Sequence, residues 1–133
     1  MKALIIGILV NLVSASLAFA HEGHDHAPGV VQAPHGGTVK QGKEFSVELV
    51  TSENDVTIYP LTRELTAIPV TDVKLKAMYQ LPKKKMEAVT FSNHDDHFMA
   101  TIDAKGAYKY SLNLSLTYQG KTQKVVFQVE KQQ

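Results

Sequence analysis

Tyr108-Lys109-Tyr110-Ser111-Leu112-Asn113-Leu114-Ser115-Leu116-Thr117-Tyr118 alternates apolar and polar side chains without a fault over eleven residues. A period of two places every second side chain on one face of an extended strand, so this segment reads as a β-strand with one buried face. Shorter stretches repeat the pattern on both sides of it. Phe45, Val47 and Leu49 alternate with Glu44, Ser46 and Glu48. Val56 and Ile58 follow, then Val73, Leu75 and Ala77 set against Lys74, Lys76 and Met78. Phe98, Ala100 and Ile102 form another set, and Val125, Phe127 and Val129 the last. The breaks between them are turn-forming: Ser52-Glu53-Asn54-Asp55, Leu81-Pro82-Lys83-Lys84-Lys85, Ala104-Lys105-Gly106 and Gln119-Gly120-Lys121.

No window carries a helical stripe. Seven or eight short strands separated by tight turns predict an all-β chain, an antiparallel immunoglobulin-like β-sandwich. A small closed barrel is the competing architecture. The Lys83–Lys85 run reads as a solvated turn.

Composition narrows the function. The 133 residues contain no cysteine and no tryptophan, six histidines, and a formal net charge of +1. Without cysteine there are no disulfides, thiolate metal sites or cysteine nucleophiles. The near-neutral charge argues against nucleic-acid binding. No nucleophile–base pair, phosphate-binding loop or pair of carboxylates in a cleft stands out, so the chain does not read as an enzyme.

Residues 1–20 read as a signal peptide. One lysine, Lys2, precedes an apolar run, and the segment ends Ala18-Phe19-Ala20. Asn11, Ser14 and Ser16 interrupt the apolar stretch, which falls short of the roughly 20 apolar residues of a spanning helix. No membrane anchor is expected after cleavage. Loss of Lys2 brings the 14 basic side chains to 13, matching the 13 acidic ones. Export predicts a periplasmic or secreted protein.

Residues 21–34 read as a flexible tail. It begins His21-Glu22-Gly23-His24-Asp25-His26 and has no apolar periodicity. Three imidazoles and two carboxylates in six residues suit a divalent metal ion. His21 would add a free α-amine after cleavage. Residues 35–133 then form the sandwich domain, with His35 in Pro34-His35-Gly36-Gly37 at its start.

A second set of candidate ligands is His94, Asp95, Asp96, His97 and Met99. Taking Met86–Ser92 and His97–Asp103 as a hairpin joined by residues 93–96 puts Phe91 near Phe98 and Val89 near Ala100 on the buried face. His97 then lies near Ser92, and Met99 near Thr90, on the outer face. An imidazole and a thioether projecting together suit copper in either oxidation state, with zinc or nickel as alternatives. A polar turn with Met99 simply packing is the competing reading. Met78 and Met86 read as packing or surface residues.

The histidine-rich start, Pro34-His35-Gly36-Gly37, Val47-Glu48-Leu49-Val50, Val56-Thr57-Ile58-Tyr59-Pro60-Leu61 and Ile68-Pro69-Val70 together resemble the small periplasmic β-sandwich domain of heavy-metal efflux systems. That domain occurs alone or at the N-terminus of efflux adaptor subunits. The resemblance implies a metal-binding module that buffers, scavenges or transfers its ion, with His35 as a ligand or a neighbour of ligands and an efflux adaptor or other periplasmic metal protein as partner. Two departures stand against it. Thr62-Arg63-Glu64 lacks an Asp-Gly type turn, and no helical hairpin or lipoyl-like segment follows. A sandwich that binds a partner and no metal is the alternative function.

Overall fold

The computed structural model describes residues 31–131; the expected signal peptide and the tail histidines His21, His24 and His26 lie outside them. Among the described residues nine strands run in the order β1 (Thr38–Gln41), β2 (Ser46–Ser52), β3 (Asp55–Leu61), β4 (Val73–Gln80), β5 (Glu87–Val89), β6 (Ser92–His94), β7 (His97–Thr101), β8 (Lys109–Tyr118) and β9 (Lys121–Glu130). One 3-10 turn, Val70–Asp72, leads into β4. The strands form two antiparallel sheets, one ordered β1-β2-β3-β7-β6 and the other β5-β4-β8-β9. Two separate sheets are a sandwich arrangement, not a closed barrel. Among the described residues no helix is long and apolar enough to cross a membrane.

The alternation read from Tyr108–Tyr118 is the organising feature of the four-stranded sheet. Tyr110, Leu112, Leu114 and Leu116 are all buried, while Tyr108 at the start of the run is 53% exposed. Tyr110 pairs with Val129, Leu112 with Phe127 and Leu114 with Val125, so the inward faces of β8 and β9 coincide. The hairpin between them turns at Gln119 and Gly120, both in the left-handed region at φ 50° and 75°. Two successive positive φ angles match the twist of the flanking strands, which explains the Gln-Gly pair. Phe45, Val47, Leu49, Val56, Ile58, Phe98 and Ile102 supply the facing layer. The turn at residues 62–66 closes without glycine: Thr62 Oγ1 accepts from the Thr66 N–H, and Leu65 takes a φ of 65°.

The expected hairpin is different in detail. Residues 86–92 are not one strand. Glu87–Val89 pairs with β4 in the four-stranded sheet, and Ser92–His94 pairs with β7 in the other. The chain crosses between sheets at Thr90 and Phe91. The β6–β7 hairpin therefore turns on Asp95 and Asp96 alone, with His94 opposite His97 and Ser92 opposite Met99. The sequence reading placed Ser92 opposite His97, a slip of two residues, which keeps each side chain on its proper face.

Candidate functional site

The outer face of the five-stranded sheet carries a row of polar and aromatic residues across four strands. Glu48 on β2 is paired with Tyr59 on β3. One step beyond the Ile58–Phe98 pair, Tyr59 reaches His97 on β7, ring centroids 5.3 Å apart. His97 is paired in turn with His94 on β6, and their rings stack at 5.0 Å and 11°.

His35 joins this row from outside the sheet. Its ring lies flat on Tyr59, at 3.7 Å and 10°. The two glycines after it make this possible, each in a different way. Gly36 turns the chain at φ 75°. Gly37 passes so close to β2 that a Cβ there would stand 2.2 Å from the Leu49 carbonyl oxygen. The Pro-His-Gly-Gly element thus lays the backbone directly over β2.

Glu48 fixes that segment in place. Its side chain is fully buried although it sits on the outer face, because residues 35–37 cover it. Glu48 Oε1 accepts the main-chain N–H of His35 and of Gly37, each at 2.9 Å. Glu48 Oε2 lies 2.7 Å from His35 Nδ1. An ionised carboxylate only accepts, so in the neutral ring the proton is on Nδ1 and Nε2 keeps its lone pair.

His97 repeats the arrangement. Its Nδ1 lies 2.8 Å from Asp96 Oδ1, which again leaves Nε2 as the free acceptor. The His97 hydrogen bond, with the charge of His97 and of His35, holds the Asp96 carboxyl below its ordinary range. Burial, then the charges of Asp96 and Glu48, push the Tyr59 phenol above its ordinary value, so it is neutral near pH 7. His94 has the opposite tautomer. Ser92 Oγ donates its one proton to the Met99 carbonyl at 3.1 Å and must therefore accept from His94 Nε2, also at 3.1 Å. His94 Nδ1 is then the free atom.

Three sequence-predicted residues, His35, His97 and His94, therefore share one face, with Asp96 orienting the second of them. Met99 is half-buried on the same face but one step along β7, opposite Ser92 and Thr57. Asp95 is exposed, and its carbonyl accepts the Val70 N–H at 3.2 Å. Among the described residues no three His, Asp or Glu side chains are grouped to hold a single ion. The sequence reading missed Glu48 and Tyr59. The available signal was the pair of glycines, which announces a close backbone approach to a neighbouring strand.

No family model, curated protein or solved structure matches this chain.

Proposed function

We propose that this chain is an exported, immunoglobulin-like sandwich module that captures a divalent transition-metal ion, copper first, then zinc or nickel. The observation that carries the reading is the twofold carboxylate–imidazole pairing. Glu48 and Asp96 each take the Nδ1 proton of a histidine and leave its Nε2 open. Metal-binding histidines are commonly oriented in this way by a carboxylate on the second nitrogen, which also raises their basicity.

Among the described residues the sheet offers imidazoles and no complete ligand set, so further donors are needed. His21, His24 and His26 are the further imidazoles the sequence supplies. The role is one of buffering the ion or handing it to an efflux adaptor or another periplasmic metal protein.

Competition against a chromophoric chelator, with copper, zinc and nickel in parallel, tests this on the purified protein. The expected result is retained metal whose affinity falls below about pH 6.5, as protons compete for imidazole. Asp96→Asn should weaken binding about tenfold while leaving the fold intact. No metal retained at micromolar protein, or unchanged affinity in the His35→Ala/His97→Ala double variant, overturns the reading.

A further inference from the structure

The outer face of the four-stranded sheet has a different chemistry. Register places its side chains in transverse rows. Lys76, Ser115 and Lys124 form one row across β4, β8 and β9. Met78, Asn113 and Val126 form the next, extended by Ala88 on β5. Lys74 lies one row beyond the lysine pair, with Thr117 and Thr122. Glu130 is the one carboxylate at an outward position of β4, β8 and β9, and it faces Lys109 at the far end. Among the described residues no carboxylate lies within ion-pair distance of Lys74, Lys76 or Lys124.

Two further features mark the middle of this face. Met78 and Val126 are 40% and 44% exposed, an apolar pair in the centre of a polar sheet. Between them Asn113 Nδ2 is covered by its neighbours and has no hydrogen-bond partner. A buried amide donor without a partner is an unmet hydrogen bond, which an incoming acceptor relieves. A shallow depression of about 360 Å³ joins Lys76, Met78, Asn113, Ser115, Lys124 and Val126.

We infer that this depression is a docking site for an acidic, extended peptide segment of a partner protein. Lys76 and Lys124 stand two strand spacings apart, about 10 Å, so their long stems can close on one carboxylate above Ser115. The apolar residue beside that carboxylate rests on Met78 and Val126. A carbonyl or carboxylate oxygen between the flexible lysine stems gives Asn113 its acceptor. A second copy presenting the same face would set lysines against lysines. The apolar centre of this face is the pair Met78 and Val126, without the aromatic side chains that favour a bilayer interface. The site lies on the opposite sheet from the histidine row and stands independently of any metal.

Fluorescence anisotropy with a fluorescein-labelled heptapeptide, three glutamates interleaved with valines, tests the inference on the purified protein. Saturable binding is expected at 50 mM salt, weakened in Lys76→Glu/Lys124→Glu by about tenfold or more. The Asn113 side-chain amide signals should shift on titration. Lys105→Glu, on a distant turn, should leave the affinity within twofold. Lys76 and Lys124 are exposed, and a Met78→Gln variant gives an independent loss should the double variant fold poorly. The inference is overturned if the peptide binds the charge-reversed protein equally well, if the Asn113 amide does not move, or if phosphatidylglycerol vesicles bind and the peptide does not.

Discussion

Replacing Glu48 separates two roles of one carboxylate. In Glu48→Ala, the N–H groups of His35 and Gly37 and the Nδ1–H of His35 lose their shared acceptor. His35 is partly exposed and recovers water at its ring. The two main-chain donors are closer to β2 and recover less. At about 1–2 kcal/mol for each of them, the loss is about 2–4 kcal/mol. Set against a total stability of about 5–15 kcal/mol for a single domain, that is a large share. With a urea slope of about 1.5 kcal/mol per molar, the unfolding midpoint followed by far-ultraviolet circular dichroism should fall by about 2 M. Glu48→Gln is the sharper experiment. The amide oxygen can keep both main-chain N–H groups, so most stability remains. Its NH2 then faces His35 Nδ1 and forces the ring proton over to Nε2, because two donors cannot meet. Long-range proton–nitrogen correlation spectra at pH 8 should show His35 as the Nδ1–H tautomer in the parent protein and the Nε2–H tautomer in the variant. The reasoning fails if the parent ring already carries its proton on Nε2, or if Glu48→Ala moves the midpoint by less than about 0.3 M.

Two other predictions concern stability. Gly37→Ala should lower Tm by about 10 °C, since its Cβ would press on the Leu49 carbonyl, whereas Gly36→Ala meets open space and should cost only the milder strain of a positive φ. Calorimetry of the two variants checks the order, and a larger loss at Gly36 refutes it. Burial pushes the Tyr110 phenol up to about 12, above the value near 10 of an unfolded chain. The folded state therefore favours the protonated phenol, so this contribution is whole below pH 10 and is lost as pH rises from 10 to about 12. Denaturation at stepped alkaline pH should show a shallower decline in Tyr110→Phe, and an unchanged decline would remove burial of this phenol as the cause.

The core was legible because its signal is local. Tyr110 through Leu116 and Val125 through Val129 announce a buried face by period alone, and the glycine at residue 120 announces the turn between them. Strand membership was less legible. Residues 86–92 contain no glycine or proline to mark the crossing at Thr90 and Phe91, and a strand's period is the same in either sheet. That missing punctuation produced the two-residue slip at the β6–β7 hairpin. At the site, the outward directions of His97 and Met99 followed from alternation. The burial of Glu48 did not, because period two assigns a face and says nothing of what covers it. Residues 35–37 cover it, eleven to thirteen positions away in sequence.

The pairing of β3 with β7 joins Ile58 to Phe98 across forty residues, and that of β4 with β8 joins Val73 to Tyr118 across forty-five, while the other strand pairs are consecutive in the chain. Long loops close slowly, and a strand inserted this late must wait for everything between to be synthesised. Tyr59 and His97 meet only through that closure. A chain lacking β7 loses His97 and the strand with which His94 is paired, which leaves His35 alone of the three histidines in the row. Completion of the row is in this sense a built-in quality check: the chain presents its full imidazole face only after its two distant segments have found each other.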